Sequence, residues 1–332
     1  MKWQRACRRD LPRLMDFLRA QEWRVVPFSA YLRRLGAALL PSQLGSSILL
    51  CPGPEPGRPL VGAMLLTSGG LLLPALRTQG QCRPAVAAAA GADGPSAAPG
   101  AGGPPLPAAT PQGDPVLPSP PRRFPGWKDL ASRLYSAMGP EAEIRWVEAA
   151  LPFAARMSID YHLMVVGREE FHEACRKSGG AGAAPPPLPG LVIREAGPPD
   201  LPRLWPLQLG YELEEVVVSR ERFSEHTSRQ NLGRMLRREL VLLAELEGEV
   251  VTKANTNARG LEVDQIGGVY TVRTQRGRGL ATRVVEELLR RILAEKRMAS
   301  LFVKKDNQAA LALYRRLGFR VVEGYRISYF QL

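Results

Sequence analysis

Histidine and cysteine are scarce in this chain, with three and four residues among 332. The cysteines (7, 51, 82 and 175) and histidines (162, 172 and 226) show no C-x-x-C or H-x-x-x-H spacing. A thiolate or imidazole metal site and a disulfide framework therefore both lack support, and no metal is expected. Uninterrupted apolar runs are also missing. Two uncharged stretches, 35–54 and 59–76, approach the length of a membrane span. The first is broken by Pro41, Ser42, Gln43, Ser46 and Ser47; the second carries Gly69-Gly70 and Pro74, the mark of a turn between two short apolar strands. Residues 1–10 are too charged for a signal peptide. The expectation is a soluble, cytoplasmic protein without membrane partners.

Acidic charge falls short of basic charge, leaving a formal net of +13. The excess is not concentrated: residues 191–332 hold 24 Lys and Arg against 18 Asp and Glu, net +6, and the rest of the chain carries the remaining +7. A nucleic-acid-binding arm would gather its charge in one place, so the even split argues against that partner. Apolar residues make up 45% and charged residues 23%, an ordinary globular balance at a length of about two domains.

What the chain does contain is a repeat. Asp10-Leu11-Pro12-Arg13-Leu14 recurs as Asp200-Leu201-Pro202-Arg203-Leu204. In both, Asp can cap a helix while Pro sits in the first turn, where a missing N–H does no harm. The apolar runs at 48–50 and 57–63 face those at 241–243 and 248–254 with nearly the same offset. Two copies of a strand–helix–hairpin unit follow from this spacing. Residues 177–190, KSGGAGAAPPPLPG, read as a linker between them. Within the first copy, Ala, Gly and Pro fill 29 of the 42 positions from 80 to 121, a composition that cannot build a packed core and is expected to be disordered.

The second copy reads as alternating strands and helices around one mixed sheet, an α/β (α+β) layer. Residues 281–293 place an apolar residue every third or fourth position, as a half-buried helix requires. In the first copy, 127–138 is expected to be helical and 144–148 and 161–166 to be strands completing that copy's sheet. The C-terminal segment reads as two strands, 319–322 and 325–331.

The segment richest in chemistry is Gly267-Gly-Val-Tyr-Thr-Val-Arg-Thr-Gln-Arg276-Gly277-Arg278-Gly279-Leu280-Ala281-Thr282. A strand enters a turn with two glycines, and the turn opens an amphipathic helix. The first N–H groups of such a helix are free and its dipole favours an anion in front of them. Gly277 and Gly279 permit close approach of a phosphate, with Arg276 and Arg278 supplying charge. No Lys-Ser/Thr follows, so this is not a P-loop, and the G-x-G-x-x-G dinucleotide fingerprint is absent.

Arg276-x-x-Gly279-x-Ala281 resembles the Arg/Gln-x-x-Gly-x-Gly/Ala motif of the GCN5-related N-acetyltransferases. Downstream, Asn307-x-x-Ala310-x-x-Leu313-Tyr314-x-x-x-Gly318-Phe319 is similar to that family's second motif. The strand Gly267–Thr271 resembles a subset of two-domain members, mycothiol synthase-like, in which the first copy is degenerate. The resemblance implies a tandem acyl-CoA N-acyltransferase fold, with acetyl-CoA as co-substrate and an amine, on a small molecule or a protein, as acceptor. It assigns the pantetheine arm to the strand at Val269, Tyr270 and Thr271, and the pyrophosphate to the backbone of Gly277, Arg278, Gly279, Leu280, Ala281 and Thr282 with Arg276 beside it. Asn307 matches a residue contacting the cofactor arm; its alternative is a plain helix N-cap. Tyr314 matches the tyrosine that protonates the leaving thiolate, and its spacing from Asn307 puts both on one helix face. Its alternative is a packed tyrosine.

Direct attack also needs a base and an oxyanion donor. The backbone N–H near Val269 is the candidate donor. Glu262, with Asp264 on the same strand face, is the candidate base; a solvated strand start, a salt bridge or a water in the base's place are the alternatives. Segments 208–217 and 252–257 are expected to line the acceptor site with Glu212, Glu214, Glu215, Lys253 and Asn255. The first copy has neither motif, so residues 1–176 are expected to form a degenerate domain that walls the acceptor cleft, and 191–332 the catalytic one. A scaffold that binds coenzyme A without turnover is the rival reading.

Overall fold

The computed structural model describes residues 3–35, 46–53, 59–77, 132–218 except 181–187, and 220–331. The low-complexity tract 80–121 and half of the linker, 181–187, lie outside the described residues. So does 127–131, the start of the expected helix at 127–138; the end of that stretch is a strand.

The first half runs β1 (Gln4–Arg5), α1 (Leu11–Arg19), α2 (Glu22–Leu35), β2 (Ser47–Pro52), β3 (Leu60–Leu66), β4 (Leu71–Leu76), β5 (Ser136–Pro140), α3 (Glu141–Ala150), β6 (Met157–Gly167) and α4 (Arg168–Gly180). The second half repeats that order through its first four strands, and α7 then stands before β11: β7 (Leu191–Glu195), α5 (Leu201–Tyr211), α6 (Glu225–Arg238), β8 (Val241–Leu246), β9 (Glu249–Arg259), β10 (Val263–Thr271), α7 (Leu280–Glu295), β11 (Met298–Lys304), α8 (Gln308–Arg316) and β12 (Arg320–Tyr329).

The repeat is structural down to its hydrogen bonds. A single 3-10 turn precedes α1 and α5, at Arg8–Asp10 and Pro198–Asp200. In each, the Asp carboxylate reaches back to accept the N–H three residues earlier, Cys7 at 2.8 Å and Gly197 at 2.9 Å. The aspartates thus close the turn from its end and do not cap the following helix. Residues 144–148, expected as a strand, lie in α3. Ile144 and Val147 are buried one helical turn apart, and Pro140 stands at the helix start, where its missing N–H costs nothing. The C-terminal segment forms one strand where two were expected, with a register shift between Val321 and Glu323 absorbing the irregularity.

The twelve strands among the described residues join one sheet, ordered β1-β2-β3-β4-β5-β12-β6-β11-β10-β9-β8-β7. The order carries a reciprocal exchange. β6, expected to finish the first copy's sheet, lies between β11 and β12 of the second copy and runs antiparallel to both. β12, the last strand of the second copy, lies between β5 and β6 of the first. Each copy therefore fills the other's gap. Helix α2 reinforces the junction: Trp23, Val26 and Ala30 pack with Tyr161, Leu163 and Val165 of β6 and with Val263, Met298 and Tyr325. The buried carboxylate of Glu22 accepts the N–H groups of Leu261 (2.6 Å) and Glu262 (2.7 Å) at the β9–β10 turn.

On the second half's sheet, α7 buries Val284, Val285, Leu288, Leu289, Ile292 and Leu293, the stripe anticipated from the sequence. The opposite face is covered by Leu204 and Leu207 of α5 and Leu232 and Leu236 of α6. Helix α8 ends in a Schellman pair, Phe319 N–H to the Tyr314 carbonyl (3.0 Å) and Gly318 N–H to that of Arg315 (3.1 Å), with Gly318 at φ +89°. A Cβ at Gly318 would lie 2.7 Å from the Glu170 carbonyl oxygen, so no larger residue fits.

Candidate active site

β10 and β11 are parallel neighbours only at Val263–Met298, Asp264–Ala299 and Gln265–Ser300. Beyond that point they splay, and the gap opens into a cavity of about 880 Å³. Its walls come from Ile266–Thr271 of β10, Phe302–Lys304 of β11, the start of α7, and the Asn307, Ala310 and Tyr314 face of α8. The register explains which groups face it. Val272 N–H donates to the Val251 carbonyl, and Thr271 and Tyr270 stand opposite Thr252 and Lys253. Backbone groups of an antiparallel strand alternate, so Tyr270 is bonded toward β9 while Val269 and Thr271 turn theirs toward the cavity.

At one end of the cavity, α7 begins at Leu280 after Gly279, which adopts φ +74° and provides no side-chain cap. The first helix bond is Arg283 N–H to the Gly279 carbonyl, so the N–H groups of Leu280, Ala281 and Thr282 have no partner within the helix. Gly277, at φ +77°, precedes them, and a Cβ at Gly277 or Gly279 would meet no atom within 4 Å. The cradle is open where a phosphate would enter, and its donor set fits a pyrophosphate.

The arginines behave differently from expectation. Arg276 lines the cavity but its guanidinium is engaged as a strut: it donates to the Thr271 carbonyl (3.0 Å) and to Glu214 (2.9 Å) and stacks over Tyr270 at 5.3 Å. Glu214 also accepts from Tyr270 (2.8 Å) and Arg273 (3.1 Å). Burial works against its charge, yet these three donors hold its carboxyl down at about 2. Arg278 is exposed, bonds to Gln275, and does not line the cavity.

Asn307 caps α8, its Oδ1 accepting Ala310 N–H at 3.0 Å, and the residue also lines the cavity. Tyr314, two turns on, is buried against Phe319 with ring centres 5.7 Å apart, and also lines the cavity. Burial, then the nearby Tyr211 and Glu215, push its phenol well above the usual range, so it keeps its proton at neutral pH.

Glu262 is misplaced for catalysis. It is exposed just before β10, at the strand end opposite the splay, its N–H held by Glu22 and its carbonyl by Arg297. Seven residues of extended strand, about 20 Å, separate it from Val269. Asp264 is buried and paired with Arg259 at 3.3 Å. Two carboxylates do line the cavity, both in the helical turn Glu212–Val216 that continues α5: Glu215, ion-paired with Lys304 at 3.1 Å, and Glu212, which accepts from Gln208 at 2.6 Å.

Lys253 and Asn255, expected at the acceptor surface, are instead buried beneath β10. The Lys253 ammonium donates to Asn255 Oδ1 (3.1 Å) and to the Gly268 carbonyl (2.8 Å), 5.0 Å from the Tyr211 ring centre. Burial, partly offset by Glu212, pushes it down to about 7. Asn255 in turn donates to Asn257, which reaches the cavity. A signal for this network was present in the sequence: Lys253, Asn255 and Asn257 share one strand face, and the next strand carries Gly267-Gly268. Cβ atoms there would sit 1.9 Å from Asn257 Nδ2 and Asn255 Oδ1.

The far end of the cavity is aromatic and is built by both halves. Met138 of β5 and Tyr161 of β6 join Phe302, Ile327 and Tyr329. The first copy's own splay is closed. β4 and β5 pair only at Leu71–Ser136 and Leu72–Ala137, after which Pro74 offers no N–H and Leu76 N–H is taken by buried Glu143 at 3.1 Å. Glu143 also meets buried Arg24 at 3.1 Å, and Arg24 pairs with Glu323 at 2.6 Å. Where α8 has Asn307 at its cap and Tyr314 seven residues on, α3 has Pro140 and Val147.

Residues 246–327 match the sequence profile of the FR47-like protein family, a span that begins at the end of β8 and takes in β9 to most of β12. Searched by sequence, no curated protein is significantly similar. Among solved structures, a Drosophila protein superposes over 98% of this chain and 98% of its own, with a TM-score of 0.59 at 13% identity, and so shares the whole two-copy fold. An acetyltransferase of the GNAT family from Colwellia psychrerythraea covers 100% of both chains at 14% identity and a TM-score of 0.47. A ribosomal-protein-alanine N-acetyltransferase from Brucella melitensis, 23% identical, aligns 99% of its length with 42% of this chain at a TM-score of 0.35.

Proposed function

We propose that the chain is an acyltransferase of the GCN5-related N-acetyltransferase kind, whose two motifs Arg276–Ala281 and Asn307–Phe319 resemble, and that its second half transfers the acetyl group of acetyl-CoA to a primary amine by direct attack. One observation carries this reading: the splay of β10 from β11 puts the open phosphate cradle at Gly277–Thr282, the cavity-facing backbone of Val269 and Thr271, and Tyr314 around one cavity. The pyrophosphate rests on the free N–H groups of Leu280, Ala281 and Thr282, and the pantetheine arm bonds to β10 as an added strand would. The amine enters from the aromatic end. Its nitrogen attacks the thioester carbonyl, whose oxygen takes up negative charge in front of the Val269 N–H. The C–S bond then breaks, and Tyr314, still protonated, delivers its proton to the thiolate. Glu215, one of the two carboxylates that line the cavity, takes the ammonium proton, directly or through water. No metal has a role in this scheme.

Calorimetric titration with acetyl-CoA tests the cradle, with Gly279→Glu as control. Micromolar binding by the parent and none by the folded variant supports it; no binding by the parent refutes it. An amine screen read by free thiol then separates an enzyme from a scaffold that binds coenzyme A without turnover. Tyr314→Phe should bind acetyl-CoA within twofold of the parent and lose about 10²-fold or more in kcat.

A further inference from the structure

Lys253 is one of the largest side chains to be wholly buried, and among the described residues no carboxylate lies within ion-pair distance of it. An apolar residue would fill the same space without the cost of burying an amine. What the lysine does instead is specific: it spends one N–H on the Gly268 carbonyl and another on Asn255 Oδ1. The amine can supply both bonds whether charged or neutral.

The carbonyl it grips belongs to the peptide that joins Gly268 to Val269. In a trans peptide the C=O and N–H point in opposite directions. Holding the oxygen under the sheet therefore turns the Val269 N–H outward, into the cavity, as the strand alternation also requires. Two features make the peptide depend on this grip. It lies in a bulge, where β10 has one residue more than β9 between Gly267 and Tyr270. Gly268 sits at φ +59°, and a glycine reaches positive and negative φ about equally, so the residue itself does not fix the peptide's direction. The Gly268 N–H belongs to the preceding peptide and is engaged separately by the Tyr211 hydroxyl. A hydrogen bond accepted at the oxygen also polarises the peptide and strengthens its N–H as a donor.

We propose that Lys253 is a positioning residue for acyl transfer: by holding the Gly268 carbonyl it aims and polarises the Val269 N–H that stabilises the thioester oxyanion. This rests on the functional reading above, and the test keeps the two apart. Acetyl-CoA labelled with ¹³C at the acetyl carbonyl is bound to the parent, to Lys253→Met and to Lys253→Gln, and the carbonyl stretch is read by isotope-edited infrared spectroscopy alongside calorimetry and thermal melting. In the parent the bound stretch should fall below that of free acetyl-CoA. Lys253→Met, which replaces a buried amine with an apolar chain of similar length, should melt no lower than the parent. It should bind acetyl-CoA within twofold, yet lose most of the displacement. Lys253→Gln, a neutral donor one atom shorter, should retain part of it. With an acceptor amine in hand, kcat for Lys253→Met should fall 10- to 100-fold at unchanged acetyl-CoA KM. A parent displacement that survives undiminished in folded Lys253→Met overturns the role of Lys253 and leaves the acetyltransferase reading intact. Binding without displacement in the parent overturns the donor itself. No binding by the parent overturns both.

Discussion

Separating the halves should destroy the second one. The exchange of β6 and β12 means that a fragment cut within the linker, residues 184–332, retains both motifs and the whole cradle but loses the strand between β11 and β12. That strand supplies Tyr161, Leu163, Met164, Val165 and Val166, none more than 7% exposed. At about 1.5–3 kcal/mol for burying each such side chain, the fragment forgoes roughly 10 kcal/mol. This equals the entire stability of a typical domain, about 5–15 kcal/mol. The loss also bares the facing edges of β11 and β12, which invites pairing with other chains. Expressed alone, 184–332 should aggregate or melt without cooperativity. Coexpressed with 1–183 it should copurify as a one-to-one complex that melts cooperatively and binds acetyl-CoA. Circular dichroism melts, size exclusion and calorimetry on the three samples read this directly. A monomeric 184–332 melting within about 5 °C of the full chain would refute the reasoning, since it would show that β6 adds little to the sheet it completes.

Other perturbations follow from single contacts. Glu22→Ala removes the buried acceptor of two part-buried N–H groups, at Leu261 and Glu262, and should cost about 3 kcal/mol in denaturant melts, with Glu22→Gln losing about half of that. Gly268→Ala combines a left-handed conformation with a 1.9 Å clash and should lose about 3 kcal/mol, against about 1 kcal/mol for Gly279→Ala, where the conformation is similar but the space is empty. Burial, opposed by Arg24, holds Glu143 at about 7, above the 4.5 of an unfolded carboxyl. Between those values the native state binds the extra proton, so stability is greatest below about 4.5 and falls by about 3 kcal/mol as pH rises through 7. Glu143→Gln should flatten that slope in melts from pH 5 to 8, because Arg24 keeps Glu323 at 2.6 Å; a uniform loss at every pH would show that Arg24 depends on Glu143.

The parts legible in the sequence are those decided by neighbours in the chain. The stripe of α7, the cap and Schellman end of α8, the glycine turn between β10 and α7, and the paired Leu-Pro-Arg-Leu helices all depend on residues within a few positions of one another. The strand exchange does not. Residues 161–166 read as a strand, but nothing in them names β11 and β12, more than 130 residues away, as partners. The short run Ile144–Val147 fits a strand as well as a helical turn, and only Pro140 at its head and the burial of one face decide for the helix. Glu262 was misread because period-2 alternation says which face a residue shares and says nothing of which end of the strand the cavity occupies. Lys253 was misread because a lysine in a strand is ordinarily solvated, and only the glycine pair opposite reveals room for it inside.

The exchange also bears on what the first copy contributes to the cavity. Its splay is closed by Pro74 and by Glu143 on Leu76 N–H, and α3 has Pro140 and Val147 where α8 has Asn307 and Tyr314. On the proposed reading, which gives acyl transfer to the second copy, changes at those positions leave the activity untouched. Leu163, Met164 and Val165 hold β11 and β12 apart at the spacing of one strand, while Tyr161 and Met138 wall the aromatic end of the cavity. Constraint on the first copy should therefore follow the strands and α2, the elements the second copy cannot replace, and bypass the positions where a thioester would have bound.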